Sequence, residues 1–295
     1  MNYNLHQLHI FTVVAKKRSI TKASEALFMT QPAVSIQLKQ LQESIGLPLF
    51  EFIGKQFFLT EAGEKLLECN VDISQALDRL EQEMQGLKGM KTGTLNVSVV
   101  SSAKYFMPHI LGKFREKYPQ IKVKLDVSNR LLVKNHLIEN ETDFGVYSVL
   151  DSTIQSEHIS FLDNPLVFIA APNSEHASIS SLGNLAEAPF INREVGSGTR
   201  IKLEEFFKSK EIKPEIVMEL ATTEAVKQAV MAGFGISLVT KYAIKQELIT
   251  GAVKILNIPG ASLASQWHLM WLNGKHLSPA AREFKSFLLT EDLNI

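Results

Sequence analysis

The chain has 295 residues, of which 45% are hydrophobic and 21% are charged, and its formal net charge at pH 7 is zero. This composition is typical of a globular protein and excludes a chain that is disordered throughout, while the length favours more than one domain. The single cysteine, Cys69, excludes an intramolecular disulfide framework and a cysteine-cluster zinc site. The sequence has neither a run of about 18 apolar residues nor the layout of a signal peptide. We therefore expect a cytoplasmic, nucleoid-associated protein that does not bind membranes.

Positive charge is concentrated at the N-terminus. Residues 1–60 contain six Lys or Arg and three Glu, whereas residues 61–92 contain four basic and seven acidic side chains. A zero overall charge argues against a general nucleic-acid binder. A local excess of positive charge nevertheless suits a small module that faces phosphates, and a dimer would double it.

Residues 19–42 predict two short amphipathic helices separated by Thr30-Gln31-Pro32. Thr30 is a good N-cap and Pro32 suits the first turn of the second helix. We expect apolar side chains to face the core from both helices, namely Ile20, Ala23, Ala26, Leu27, Val34, Leu38 and Leu41. The second helix offers Gln and Ser outward, and these side chains can hydrogen-bond to bases in the major groove. The spacing alone fits a helix-turn-helix and an ordinary αα-hairpin about equally well.

The next two segments predict a hairpin and a long helix. In "LFEFIGKQFFLT" the dipeptide Gly54-Lys55 is a typical hairpin tip. Residues 61–90 follow as one helix with Thr60 as its N-cap. Apolar residues recur along this helix at intervals of 4, 3, 4 and 3, namely Ile73, Leu77, Leu80, Met84 and Leu87, with Leu66 one heptad earlier. This 3.5-residue repeat predicts a dimerisation helix, although a helix that packs on its own domain's core remains an alternative.

Residues 93–295 alternate strand and helix patterns, which predicts an α/β architecture with largely parallel strands. The order of strand, hydroxyl-bearing turn and helix occurs twice, so we expect two similar lobes that face each other. In open α/β sheets ligands bind at the carboxyl ends of the strands, and the cleft between the lobes is therefore the candidate ligand site.

Several motifs resemble one known family. The stretch "ITKASEALFMTQPAVSIQLKQLQESIGLPLFE" with "LTEAGEKLL" resembles the winged helix-turn-helix of LysR-type transcriptional regulators, and the resemblance extends over essentially the entire chain. The stretches "SSAKYFMPHIL", "EVGSGTR" and "EAVKQAVMAGFGISLV" are similar to the subgroup that regulates RuBisCO and carbon-fixation operons. The resemblance implies a winged helix-turn-helix domain at 1–60, a linker or dimerisation helix at 61–90, and a two-lobed, type 2 periplasmic-binding-protein-like effector domain at 91–295, with lobe I at 91–163 and 268–295 and lobe II at 164–267.

The resemblance also implies which residues contact DNA. The recognition helix would be residues 31–39 and the wing residues 52–58, with Lys55 at minor-groove phosphates. The candidate DNA-binding residues are Thr21, Thr30, Gln31, Pro32, Ala33, Ser35, Ile36, Gln37, Lys39 and Lys55. Many family members have Arg where this chain has Ile36. An operator sequence is therefore not to be borrowed from these relatives. We also expect a weaker dependence of DNA binding on salt, because one phosphate contact fewer releases fewer counterions.

The candidate effector-binding residues lie at the strand-to-helix turns. They are Ser101, Ser102, Ala103, Asn129, Arg130, Gly198, Thr199, Arg200, Thr222 and Thr223. Hydroxyls and free backbone N–H groups at helix N-termini favour an anionic ligand, and Arg130 is suited to clamp a carboxylate or phosphate. Simple helix capping is an equally good explanation for each residue taken singly.

The sequence thus predicts a ligand-responsive transcriptional regulator, an activator or a repressor, that is not an enzyme and needs no cofactor or metal. By family resemblance its partners are double-stranded promoter DNA, a small anionic metabolite, RNA polymerase and further copies of itself, as a dimer and then a tetramer that bends DNA. The alternatives are a cytosolic two-lobed solute-binding protein with a helical oligomerisation module, and an enzyme that uses the cleft. Residues 101–104 fit the S-x-x-K nucleophile motif, but the companion motifs of penicillin-recognising serine enzymes are missing from the sequence.

Overall fold

The computed structural model describes residues 3–54, 56–87 and 91–293. Within the helix that ends at Leu87 it does not describe the side chains of Gln82, Gln85 and Leu87. The chain divides into two compact units, Met1–Glu81 and Gln82–Ile295. The predicted DNA-contacting Lys55 and the side chain of the predicted dimerisation residue Leu87 lie outside what the structure describes.

The first unit is a helical domain with a β-hairpin. Its elements in chain order are α1 (Leu5–Lys17), α2 (Ile20–Leu27), α3 (Gln31–Ile45), β1 (Phe50–Ile53), β2 (Gln56–Leu59) and the start of α4 (Glu61–Leu87). The side chains of Asn4, Ser19 and Thr30 cap the first three helices by accepting backbone N–H bonds. Each cap satisfies a donor that the helix leaves unpaired, so polar residues just before each apolar run fix where the helices begin.

The core of this unit is formed where α1, α2 and α3 meet. The most deeply buried side chains include Phe11 and Val14 of α1 and Val34 and Leu38 of α3, each of which is at most 1% exposed. Ala26, which the periodicity places on the buried face of α2, is exposed instead. The buried polar position of α2 is Ser24, whose hydroxyl donates to the Thr21 carbonyl oxygen at 2.8 Å.

The predicted hairpin follows α3. β1 and β2 are antiparallel, with Phe52 opposite Phe57 and Ile53 opposite Gln56. Gly54 has a φ of 64°, a left-handed conformation that glycine adopts without steric cost. The predicted cap of α4 is confirmed, since the Thr60 hydroxyl accepts from the Gly63 amide at 3.1 Å.

The second unit alternates strands and helices as predicted. In chain order it contains β3 (Gly93–Val100), a 3₁₀ turn (Ser101–Tyr105), α5 (Met107–Lys117), β4 (Ile121–Ser128), α6 (Arg130–Ile138), β5 (Phe144–Tyr147), β6 (Ser156–Ala170), a 3₁₀ turn (Glu175–Ser178), α7 (Leu182–Glu187), β7 (Pro189–Arg193), α8 (Gly198–Ser209), β8 (Glu215–Leu220), α9 (Thr223–Met231), β9 (Ser237–Thr240), a 3₁₀ turn (Lys241–Ile244), α10 (Lys245–Thr250), β10 (Lys254–Ile255), β11 (Leu263–Leu272) and α11 (Pro279–Thr290).

The sheet topology corrects the expectation of largely parallel strands. β3 pairs in parallel with β4 and β5, and β7 pairs in parallel with β8. The two long strands β6 and β11 are antiparallel to each other and to β5, β9 and β10. The chain crosses between two packed regions along β6 and returns along β11, and a returning strand runs opposite to the outgoing one. Sequence periodicity reports the burial of a strand and not its direction.

Two sets of buried side chains divide this unit into lobes joined by β6 and β11. The first lobe comprises β3–β5, α5, α6 and α11, with a core that includes Phe114, Trp267 and Phe284. The second lobe comprises α7–α10 and β7–β10, with a core that includes Phe190 and Phe207. The parallel strands β3, β4, β7 and β8 all end at turns that carry predicted effector-binding residues.

Candidate functional site

The predicted recognition surface is the outer side of α3. The Thr30 hydroxyl accepts a hydrogen bond from the Ala33 amide at 3.4 Å, and Pro32 lies in the first turn. Ser35 is exposed, and Ile36 is 54% exposed although it is apolar. The start of α3 therefore presents short polar and apolar side chains, which match base edges and thymine methyl groups in a major groove.

Most of the described candidates for DNA contact are accessible. The exposed ones are Thr21, Thr30, Gln31, Pro32, Ser35, Ile36 and Lys39, and the half-buried ones are Ala33 and Gln37. Lys39 lies 3.8 Å from the carboxylate of Glu43 on the next turn of the helix. A phosphate that contacts Lys39 would compete with this exposed ion pair, which is worth little in water.

Asn70 joins the first part of α4 to α1. Its side-chain amide donates to the Leu8 carbonyl oxygen at 2.7 Å and to the Thr12 hydroxyl, and only 3% of the residue is exposed. Leu66, which the heptad pattern assigns to the dimerisation seam, packs against the core of the first unit instead. The N-terminal part of the predicted seam therefore belongs to the core of the first unit.

Further along α4 the seam residues are accessible in the single chain. Ile73 is 37% exposed, Leu77 43%, Leu80 53% and Met84 47%. These apolar side chains repeat on one side of the helix at coiled-coil spacing. Water contact on such a regular apolar stripe is unfavourable, so the geometry suits a second helix.

A small cavity lies between the two lobes at the ends of the parallel strands. Five of the residues that line it were predicted to bind the effector, namely Ser101, Ser102, Asn129, Arg130 and Gly198. Five others were not predicted, namely Val100, Ser148, Arg193, Glu194 and Ser197. The free volume is about 10 Å³, which is about the room that one water needs. Hydroxyl groups from both lobes thus converge on a very narrow space.

Arg193 is the buried cation of this cavity, and the sequence pattern did not indicate it. The residue is 5% exposed. Its guanidinium donates to the Thr223 hydroxyl at 2.7 Å and, across the lobes, to the Ser101 hydroxyl at 3.3 Å. Nε and Nη2 donate to the two carboxylate oxygens of Glu194 at 2.7 and 2.8 Å. The only sequence signal was its position at the end of a predicted strand, directly before the "EVGSGTR" motif.

The N-terminus of α8 also faces the cavity. Ser197 and Gly198 line it, and a Cβ on Gly198 would lie 2.5 Å from the Ser148 hydroxyl. The first amides of a helix have no intrahelical acceptor, and they carry partial positive charge that favours anions. The glycine therefore allows the helix end to approach the opposite lobe closely.

Arg130 lines the cavity but is held by its own lobe. It donates to the Val149 and Leu150 carbonyl oxygens at 2.6 and 3.1 Å, and its guanidinium lies over the Tyr147 ring. Asn129 caps α6 by accepting from the Leu132 amide at 2.9 Å, which accords with a capping role. The predicted clamp at Arg130 would therefore use the N–H groups that remain after two carbonyl contacts.

The other predicted effector residues are not among those that line the cavity. Ala103 is fully buried in the core of the first lobe. Arg200 donates to Glu204 and to the Arg193 carbonyl oxygen at 2.7 and 2.9 Å. The Thr222 hydroxyl caps α9, and Thr199 lies in the first turn of α8. Thr223 supports the cavity indirectly, as an acceptor for Arg193.

The 3₁₀ turn Ser101–Tyr105 contacts the second lobe at both of its ends, through Ser101 and through Tyr105. The Tyr105 hydroxyl donates to Glu224 at 3.3 Å, and Lys227 lies over the Tyr105 ring. Burial and the Glu224 carboxylate raise the pKa of Tyr105. Burial opposes charge on Lys227, which is 4% exposed, but hydrogen bonds to Glu247 and Glu224 raise its pKa overall. One short turn thus connects the cavity to a buried ion-pair network.

Two larger grooves lie on the surface of the second unit. One, of about 550 Å³, includes Asp163, Glu291 and Asp292 in its walls and is therefore unsuited to an anion. The other, of about 460 Å³, includes Lys113 and Lys245. Chemistry rather than volume singles out the small cavity, because it contains a buried arginine beside hydroxyl groups and a helix N-terminus.

Within residues 3–54, 56–87 and 91–293 there is no group of three or more His, Cys, Asp or Glu that could hold a metal ion. Over the same part of the chain, no helix combines the length and apolar character that crossing a membrane requires.

Comparison with known families identifies both parts of the chain. Residues 5–64 match the bacterial regulatory helix-turn-helix protein, lysR family, and residues 88–292 match the LysR substrate binding domain. The chain is 39% identical to the HTH-type transcriptional activator CmpR of Synechocystis sp. PCC 6803, over 99% of this chain and 96% of that protein. It is 40% identical to the RuBisCO operon transcriptional regulator of Allochromatium vinosum, over 99% and 97% of the two chains.

Solved structures show the same architecture. The regulatory domain of CcmR from Synechocystis PCC 6803, in complex with 2-PG, superposes with a TM-score of 0.63 at 34% identity and covers 66% of this chain and 95% of that one. Full-length CbnR complexed with its target DNA gives a TM-score of 0.71 at 19% identity over 97% and 99% of the chains, which shows the shared fold. The predicted family and fold class are confirmed: the chain belongs to the LysR family of bacterial transcriptional regulators.

Proposed function

We propose that this regulator senses a small anionic metabolite in the cavity between its lobes and changes promoter DNA geometry in response. The observation that carries the proposal is Arg193, a buried cation at the meeting point of both lobes. Ser101 and Ser102 add hydroxyl donors, and α8 adds its N-terminus. A carboxylate or phosphate matches all three features, whereas a neutral ligand would make no use of the positive charge on the guanidinium.

In this proposal residues 1–60 read DNA, residues 61–90 pair two chains, and residues 91–295 bind the effector. Two dimers would associate into a tetramer that contacts two operator regions and bends the DNA between them. A ligand shifts such a switch only through its different affinity for the two arrangements, with coupling of about 1–3 kcal/mol. The proposal assigns the protein no catalytic step.

The DNA-reading role can be tested at the gene's own upstream region. We expect Ser35→Ala or Gln31→Ala to cost about 1–3 kcal/mol at the specific operator and to spare binding to unrelated DNA, as measured by fluorescence anisotropy. Ser74→Ala makes the same small change on α4 and should leave both affinities unchanged. Equal losses on both DNAs would contradict base reading by α3.

The anion-sensing role can be tested by calorimetry on the full-length chain. 2-PG, the small anionic metabolite bound in the CcmR structure, is the first probe, and inorganic phosphate is the second. We expect binding that Arg193→Lys weakens at least about tenfold, since a lysine cannot make two parallel bonds to one anion. Full binding by Arg193→Lys would refute the assignment of Arg193, and no binding of any anion by the unmodified chain would refute the proposal itself.

The bending role can be tested with a set of promoter fragments that carry the operator at different positions. Bent DNA migrates most slowly when the bend is central, so the mobility pattern gives the bend angle. We expect the angle to differ with and without bound 2-PG while the affinity for DNA changes little. An angle that stays constant when 2-PG is bound would contradict the proposal.

A further inference from the structure

The Glu194 carboxylate occupies the Nε and Nη2 donors of Arg193, which are a pair of donors that an anionic ligand would use. Nε of Arg193 donates to one Glu194 oxygen at 2.7 Å and Nη2 donates to the other at 2.8 Å. Carboxylates and phosphates bind an arginine through this same pair of parallel hydrogen bonds. An anionic ligand and the Glu194 carboxylate therefore compete for one set of donors.

Of the two partners, Arg193 is fixed and the Glu194 side chain is the one that can move. The guanidinium is buried and also bonded to the Thr223 hydroxyl and the Ala221 carbonyl oxygen, at 2.7 and 3.4 Å. The Glu194 backbone is held in place as well. Its N–H donates to the Leu220 carbonyl oxygen at 3.1 Å, and its own carbonyl oxygen accepts from the Ser197 N–H at 3.2 Å. The Glu194 side chain, however, is 27% exposed, so a rotation about its own bonds brings the carboxylate into water.

The cavity leaves no room for an anion beside the ion pair. Its free volume of about 10 Å³ accommodates roughly one water, and Glu194 is one of the residues that line it. A phosphate or carboxylate that makes two parallel hydrogen bonds to Nε and Nη2 of Arg193 must therefore take the place of the Glu194 oxygens.

We propose that Glu194 is an internal counter-ion that an anionic effector must displace from Arg193. This inference rests on the proposed anion-sensing function and adds the residue that sets its affinity and selectivity. The exchange keeps the buried guanidinium paired with a negative charge, because one anion replaces another there and the released Glu194 carboxylate is hydrated. A neutral ligand gains nothing from the exchange, since it would leave a buried arginine without a counter-charge.

The first test compares binding of 2-PG to full-length variants by calorimetry. Glu194→Gln keeps the size of the side chain but removes its charge, so the competitor for Arg193 is weaker. We expect 2-PG to bind at least about tenfold more tightly to Glu194→Gln than to the unmodified chain, a gain of about 1.4 kcal/mol. The matched control is Glu205→Gln on the exposed side of α8, where Glu205 pairs with Lys202 at 2.8 Å, and it should bind 2-PG as the unmodified chain does.

The second test needs no knowledge of the effector. Glu194→Ala removes the carboxylate and leaves a space of that size beside Arg193. Added formate supplies the missing group, so it should raise the melting temperature of Glu194→Ala progressively, with the logarithm of its concentration once the site is mostly occupied. The unmodified chain and Glu205→Ala should not respond beyond the general effect of salt, which an equal concentration of chloride measures.

The two tests separate this inference from the proposed function. Tighter binding of 2-PG by Glu194→Gln, or a formate response confined to Glu194→Ala, supports the counter-ion role. If the unmodified chain binds 2-PG but neither response occurs, the counter-ion role is overturned and anion sensing stands. If no anion binds the unmodified chain while formate rescues Glu194→Ala, the counter-ion role stands and anion sensing fails.

Discussion

Replacing Leu77 and Leu80 together by lysine should separate the two chains that we expect to pair along α4. About half of each side chain is exposed in the single chain. Complete burial of such a side chain is worth about 1.5–3 kcal/mol, so covering the exposed half contributes about 1 kcal/mol. The two positions, counted on both chains, account for about 4 kcal/mol of the association energy. This loss alone weakens the pair about a thousandfold, and four like charges at the seam weaken it further.

Sedimentation velocity at micromolar concentration measures the result. We expect the assembly to fall to half its mass, whether it is a dimer or a tetramer. The control variant Gln75→Lys with Asp78→Asn makes the same net change in charge on the same turns of α4, away from the apolar stripe, and should sediment as the unmodified protein does. An unchanged assembly in the Leu77→Lys and Leu80→Lys variant would show that the stripe does not join the chains.

Three further predictions concern stability. Gly63→Ala should destabilise the first unit by about 3 kcal/mol in urea unfolding, because its Cβ would lie 1.9 Å from the Leu49 carbonyl oxygen. The control Gly112→Ala has nothing within 4 Å of the new Cβ and should stabilise the protein by about 0.5–1 kcal/mol. Similar effects at both sites would refute the steric reasoning. Lys227→Met should cost about 3 kcal/mol, since it leaves the carboxylate of Glu247, whose side chain is 15% exposed, without its ammonium partner. A neutral effect would contradict a stabilising role for this ion pair. Burial lowers the pKa of His268 below its ordinary 6.5. Below pH 6.5 this imidazole is therefore protonated more readily in the unfolded chain than in the folded chain. Stability should therefore fall by at most about 1.4 kcal/mol per pH unit as the pH drops below 6.5, and His268→Gln should remove that part of the loss in thermal melts at graded pH.

The DNA-binding fold could be predicted well because its information is local. The caps at Thr30 and Thr60, the proline in the first turn of α3 and the glycine at the hairpin tip each act within a few residues. The exposed position of Ala26 and the buried position of Ser24 show the limit of this method. Alanine and serine differ little in size, so the periodicity of α2 alone does not settle which of them faces the core.

The cavity could be predicted only in part, because its key contact joins distant residues. The turns after β3, β4 and β7 were identifiable from the alternation of strand and hydroxyl-bearing turn. Arg193 was not, since it ends a buried strand and its partners Ser101 and Thr223 lie 92 and 30 residues away. The antiparallel course of β6 and β11 was missed for a related reason: strand direction depends on where the chain returns, and periodicity does not record that.

The amide of Asn70 has a consequence for the target DNA. Because it fastens α4 to α1 within one compact unit, two chains joined along α4 would carry their reading helices at a separation set by protein geometry. Half-sites spaced by one helical repeat, about 10 base pairs, then present the same face of the duplex to both. An insertion of about half a repeat would turn one half-site to the far side of the DNA, and the protein would have to twist the duplex or release one end.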